Sequence, residues 1–256
     1  MKNKFILIFA ILFAFAIALI PKGESKQNFS YTVTTPDNLS HVTQSFKTSG
    51  EDSQILFIVD FSNSMNDTIM GKSKVDIART TLAELLSQIP KNIKTGLRVY
   101  GHKAGFTYIQ GCQASTLCVP LGYNNSNNIL SSLYSTRATG WTPITYSLKQ
   151  AINNDFAGIS GKKHIILITD GGENCDESPC TYVINLMKTR NDVRIDVIAF
   201  DVHDIEANNQ LKCTALMTSG KFLTADSESG LSNSLFESVG IDKDVKGTIK
   251  MPETLY

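Results

Sequence analysis

Ile55-Leu56-Phe57-Ile58-Val59 runs straight into Asp60-Phe61-Ser62-Asn63-Ser64, and the reading of that passage decides the fold. A short, continuous, partly β-branched apolar run suits a central strand buried on both faces. The polar passage that ends it puts a carboxylate and two hydroxyls at the carboxyl end of that strand. Working outward, two more such runs appear, at His164 to Thr169 and Val193 to Phe200. Leu97 to Tyr100 is a weaker one and Lys221 to Thr224 a short late one.

Helical spacing fills the intervals. Val75, Ala78, Leu82, Leu85, Leu86 and Ile89 recur on one face until Pro90 stops them. Ile144, Leu148, Ala151 and Ile152 mark a second helix, opened by Pro143. Ser178-Pro179 supplies a capping hydroxyl and a proline at the first helical position for a third. Ala207, Leu211 and Ala215 define a fourth helix, and Leu231, Leu235 and Val239 a fifth. Strands alternating with helices predict a doubly wound α/β fold with a mostly parallel sheet and helices on both faces. Residues 102–130 show no clear period and read as a long surface excursion with a short helix near Ile129 to Leu133.

The ends of the chain read differently. Lys2 and Lys4 precede an apolar run from Phe5 to Ile20. With its flanks, residues 1–25 read as an export signal. The alternative is an uncleaved membrane anchor, but the run falls short of the roughly 20 apolar residues that span a bilayer. Residues 26–52 are a polar leader with at most a short strand at Phe29 to Thr34, and residues 241–256 a C-terminal strand or tail. An exported chain is periplasmic or extracellular, and its five cysteines can then pair. The near neighbours Cys112 with Cys118 and Cys175 with Cys180 are the first pairing to expect, with Cys213 a small buried hydrophobe. Lys+Arg and Asp+Glu are 24 each, with no polybasic block, which argues against a nucleic-acid footprint.

In parallel sheets, ligands bind beyond the carboxyl ends of the strands. Two carboxylates stand there, Asp60 and the Asp170 of Asp170-Gly171, with Ser62 and Ser64 beside the first. Thr139-Gly140-Trp141-Thr142-Pro143 forms a turn between them. An all-oxygen donor set suits Mg²⁺ first, with Mn²⁺ or Ca²⁺ as alternatives. Glu173, Asp176 and Glu177 crowd the loop after Asp170 and read as a solvated loop favouring the helix that starts at Pro179. Trp141 reads either as a contact anchor for a partner or as a packed lid, and Asp201 to Asp204 as a turn, ahead of the alternative that its polar residues flank the site.

Asp60-x-Ser62-x-Ser64, then Thr142, then Asp170, resemble in order and setting the metal-ion-dependent adhesion site of von Willebrand factor type A (VWA) domains. Residues 55–65, 96–102, 140–148 and 165–175 are similar to bacterial secreted members of that family, and the likeness spans roughly residues 53–240. The resemblance implies that Ser62, Ser64 and Thr142 contact one divalent cation, with Asp60 and Asp170 holding it directly or through water. It also implies an open coordination position for an Asp or Glu of a partner protein, and hence a binding module, not an enzyme. A membrane enters only through an uncleaved N-terminal segment.

Two other classes compete. A Mg²⁺-dependent phosphatase-like hydrolase would use Asp60 as nucleophile, but the acid expected two residues later is Ser62. A serine hydrolase lacks its Gly-x-Ser-x-Gly passage. The remaining class is a structural component of the cell envelope, with the ion only as a staple.

Overall fold

The structure, a computed structural model, describes residues 54–241. The export segment, the polar leader and the C-terminal strand or tail read from the sequence lie outside the described residues, apart from Ile241. In chain order the elements are β1 (Gln54–Asp60), the hairpin β2 (Thr68–Ile69) and β3 (Lys72–Ser73), α1 (Lys74–Gln88), β4 (Lys94–Tyr100), α2 (Tyr108–Cys112) and β5 (Ser115–Gly122). They continue with α3 (Ser126–Ser135), α4 (Ile144–Gln150), β6 (Lys163–Thr169), α5 (Pro179–Leu186), β7 (Val193–Phe200), α6 (Ile205–Met217), β8 (Phe222–Ala225) and α7 (Glu228–Val239).

Among the described residues six strands form one sheet in the order β5-β4-β1-β6-β7-β8. β1 lies between β4 and β6, parallel to both, and β7 and β8 extend the parallel set. This is the doubly wound arrangement that the alternating pattern predicts. Every residue of β1 is buried, and alternate side chains enter two cores. Ile55, Phe57 and Val59 pack under α1, α3 and α7, whereas Leu56 and Ile58 pack under α4, α5 and α6. A strand that serves two cores needs apolar side chains at every position, which is why the run is unbroken until Asp60.

The helices start where their caps dictate. Ser73, Ser178, Asp204 and Ser227 each accept a bond from a first-turn amide, of Asp76, Thr181, Ala207 and Gly230 respectively. Gly240 ends α7 in the left-handed conformation, at φ 72°.

Two expectations are corrected. Residues 102–130 are not a patternless excursion: they contain α2, and β5 pairs antiparallel with β4 at the sheet edge. Pro120 is exposed on this strand and register shifts interrupt the pairing, so neither alternation nor β-branched enrichment marks it. The cysteine pairing also differs. Cys112 bonds Cys175, Cys180 bonds Cys213, and Cys118 is free. Nearness in sequence misleads because Cys118 lies out on β5, while α2 brings Cys112 against the loop after β6. Cys213 is no inert filler, since it ties α6 to the first turn of α5.

Away from the carboxyl ends of the strands, Asp196 of β7 is wholly buried. Its carboxylate lies 3.0 Å from His164 Nε2 and accepts from Arg194 Nε and Nη2, the Lys221 amide and the Ser238 hydroxyl. One side chain thus joins β6, the β7–β8 connection and α7. Burial pushes this carboxyl up, but the bonds from His164 and Arg194 outweigh it and hold the group well below the usual carboxylate range. A depressed carboxyl stabilises the fold above its unfolded pKa and loses that contribution as the pH falls toward its folded one. Asp196→Asn is therefore expected to cost about 2–3 kcal/mol at pH 7, with the gap to wild type narrowing below about pH 4. Urea denaturation across pH checks this, and a gap that widens in acid contradicts it. Unreduced peptide mapping is expected to recover the Cys112–Cys175 and Cys180–Cys213 cross-links.

Candidate metal centre

Asp60 closes β1, and its neighbours tie down both carboxylate oxygens. Oδ1 accepts the Ser62 amide at 2.6 Å. Oδ2 accepts the Thr169 hydroxyl at 2.8 Å and the Tyr100 hydroxyl at 3.1 Å. These donors come from the loop after β1, from β6 and from β4, so each strand flanking β1 contributes one. Asp60 is wholly buried. Burial, and then the charge of Asp170, push its carboxyl up to about 7. The same burial, followed by the charge of Asp60, pushes the Tyr100 phenol well above its ordinary value.

Beyond Asp60 the chain turns through a single helical turn at Asn63–Asn66, which brings two hydroxyls together. Ser62 Oγ and Ser64 Oγ are 3.1 Å apart. Ser64 Oγ in turn donates to Asp170 Oδ1 at 2.8 Å. Four of the five expected residues, Asp60, Ser62, Ser64 and Asp170, thus form one connected cluster at the carboxyl ends of β1 and β6.

Thr142 reaches the same end through the backbone. Gly140, two residues before it, bridges to Ser62, and its carbonyl accepts the Asn63 amide at 3.0 Å. Gly140 also donates its amide to the Gly101 carbonyl. Gly101 has φ 71°, and a Cβ there would fall 2.5 Å from the Ser62 nitrogen. The loops after β1, β4 and α3 approach this closely because that side chain is missing. On its other side, Thr142 donates its amide to Asn174 Oδ1 at 2.7 Å. Thr142 is buried.

Several contributors escaped the sequence reading. Lys74, the first residue of α1, is buried with its ammonium 3.2 Å from Asp170 Oδ2 and 3.0 Å from Asp201 Oδ2. Burial pulls this ammonium down, but the bonds and charges of Asp201 and Asp170 outweigh it and raise its pKa. For Asp201 the flanking alternative holds over the plain turn, and its other oxygen lies 3.0 Å from His203 Nε2. A signal for Lys74 did exist. A lysine at the positive start of a helix is unfavourable unless an acid answers it.

Glu173 differs from expectation as well. It is no solvated loop residue serving α5, for it accepts the Thr145 amide at 2.7 Å at the start of α4, and the Cys175 amide at 3.1 Å. Burial nevertheless pushes its carboxyl up. Asp176 accepts the Tyr108 hydroxyl, and Glu177 pairs with Lys149. Trp141 is 40% exposed and meets Tyr108 edge to face, with ring centroids 5.4 Å apart. It is half packed and half presented, between the two expected roles.

The donor chemistry fits a hard divalent cation. The expected donors are carboxylate and hydroxyl oxygens, and the Lys74 ammonium lies on the one Asp170 oxygen that Ser64 does not bond. Among the described residues no group of three or more His, Cys, Asp and Glu side chains is placed to hold a metal, so hydroxyls would have to complete the shell. Two acids held together in a buried setting, one with its carboxyl raised to about 7, are the electrostatic condition that a positive ion relieves.

Comparison with known proteins agrees with this architecture. Two relatives from Bacillus subtilis (strain 168) are the uncharacterized proteins YwmD and YwmC. YwmD is 29% identical over 182 residues, covering 69% of this chain and 80% of its own. YwmC is 28% identical over 175 residues, covering 67% and 76%. Among solved structures, proximal thread matrix protein 1 from the mussel byssus, with a zinc-occupied MIDAS motif, superposes with a TM-score of 0.57 at 20% identity, over 73% of this chain and 44% of that one. The pilus adhesin SpaC of Lactobacillus rhamnosus GG, in its open conformation, gives 0.59 at 15% identity, over 85% and 34%. The matched region is therefore less than half of either solved chain, and at these identities the likeness is one of fold. The von Willebrand factor type A domain profile matches residues 54–237, most of the chain and the whole of the sheet, and the chain belongs to that family.

Proposed function

We propose that this chain is an exported, divalent-cation-dependent protein-binding module that captures an acidic side chain of a partner protein. Asp60, Ser62, Ser64, Thr142 and Asp170 are the residues that would hold one ion, Mg²⁺ first, with Mn²⁺ or Ca²⁺ as alternatives. The observation that carries the reading is the Ser62–Ser64–Asp170 hydroxyl chain, lying beside a buried Asp60 whose carboxyl is raised to about 7.

The roles divide by what each group can do. Asp60 is gripped by Ser62, Thr169 and Tyr100, so its position is fixed before any ligand arrives. Ser62 and Ser64 offer neutral oxygens, which orient a cation without cancelling its charge. A bound cation would supply a positive centre able to accept a partner's carboxylate. Glu173 anchors the start of α4 and Asn174 anchors Thr142, so the loop after β6 holds the Thr142 loop in register with Asp60. SpaC is a pilus adhesin, and the mussel protein has a zinc-occupied MIDAS motif; both support this reading at the level of the fold. Export is supported by the apolar segment from Phe5 to Ile20 and by two disulfides, which persist in oxidising compartments.

The hydrolase alternative asks Asp60 to attack a substrate. Its side chain is wholly buried and both its oxygens are engaged, a poor disposition for a nucleophile. The burial and hydrogen bonding instead suit a fixed anchor.

Asp60→Ala is expected to abolish Mg²⁺ and Mn²⁺ binding in calorimetry while retaining the wild-type far-ultraviolet dichroism spectrum. Undiminished uptake by that variant contradicts the assignment. Capture of acidic proteins on the immobilised chain is expected with Mg²⁺ and to vanish with EDTA. Metal uptake with capture that ignores EDTA would point to an ion that only staples the fold.

A further inference from the structure

The pair of buried Lys74 and half-buried Asp201 has no part in the donor set, yet it touches the site through Asp170. Lys74 Nζ lies against Asp170 Oδ2, while Ser64 bonds the other oxygen, Oδ1. The two oxygens of Asp170 therefore face different groups: the neutral Ser64 hydroxyl on the side of the site, an ammonium on the side of α1. Lys74 is itself divided between Asp170 and Asp201, and the Lys74 side chain is only 8% exposed, so solvent screens these charges weakly. The groups facing this ammonium are Asp170 from the loop after β6 and Asp201 from the loop after β7, with His203 on the far oxygen of Asp201.

From this geometry we infer that Lys74, metered by Asp201, sets the specificity of the site for acidic partners by limiting how far the protein's own carboxylates neutralise the bound cation. The inference rests on the metal reading above. Lys74 withdraws part of the charge of Asp170 from the site. A cation there is held less tightly, but it keeps more positive charge for an incoming carboxylate. Asp201 draws the ammonium the other way and moderates the effect. Removing Lys74 must therefore strengthen the hold on the metal and weaken the hold on the acid. Neutralising Asp201 must do the reverse. A mere strut for Asp170 would instead make both affinities fall together when it is removed.

The test uses the full chain with Mn²⁺ as the metal and acetate as the acidic probe. Electron paramagnetic resonance of free Mn²⁺ gives the metal affinity. Loss of water proton relaxation enhancement, as acetate displaces water from bound Mn²⁺, gives the acid affinity. Lys74→Met is expected to bind Mn²⁺ about tenfold more tightly and acetate several-fold more weakly. Asp201→Asn is expected to shift each affinity oppositely. Asparagine tolerates the positive φ of 59° at that position, so this variant decides the matter alone if Lys74→Met does not fold. Affinities for metal and acid that move together, or stay put, in the folded variants overturn the inference and leave the metal reading standing. A wild-type chain that takes up no Mn²⁺ overturns both.

Discussion

Two acids that repel one another in a buried setting are the constraint on which the rest of this structure turns. Asp60 ends β1 and Asp170 directly follows the adjacent parallel strand β6, and burial raises the carboxyls of both. Like charges so placed persist only where surrounding groups compensate. Here the compensation is built from several directions: an amide and two hydroxyls on Asp60, a hydroxyl and an ammonium on Asp170. The donors come from the loop after β1, from β4, from β6 and from the start of α1. The site is thus distributed over the elements that the sheet brings together, and no short segment of the chain holds it by itself.

The sheet makes this convergence rigid. β1 is central, buried throughout and parallel to both neighbours, so the three strand ends emerge at one level. Apolar packing on both faces supplies the stability, at roughly 25 cal/mol per Å² of apolar surface removed from water, and the polar cluster draws on it. Close backbone approach at Gly101 and Gly140 then seats the Thr142 loop against Ser62. In the direction away from the site, Asp196 bundles β6, β7 and α7. A buried acid therefore organises each of two places in the molecule, with opposite outcomes: Asp196 is fully answered and held ionised, whereas the carboxyl of Asp60 is raised.

Much of this was legible in the sequence because the decisive signals are local. Unbroken apolar runs announce doubly buried strands, and Ser178-Pro179 announces a helix start that the structure keeps. Asp60 and Asp170 were visible as carboxylates at strand ends, and the spacing of Ser62 and Ser64 set two hydroxyls beside the first. What was not legible depends on distant contacts. β5 carries Pro120 and irregular pairing, so its strand character comes from β4 and not from its own pattern. The Cys112–Cys175 bond spans 63 positions in sequence and exists because α2 folds over the loop after β6. Lys74 looks like one more surface lysine until Asp170 and Asp201 are set opposite it.

The flanks of the sheet carry one more consequence. A strand at an open edge can template the addition of a stray chain, and that is a route to insoluble aggregates. Here one flank is β8, only four residues long, and the other is β5, where Pro120 removes an amide and bulges break the ladder. Among the described residues neither flank presents a long, flat row of hydrogen-bonding groups, so the same irregularity that hid β5 in the sequence discourages edge-to-edge polymerisation.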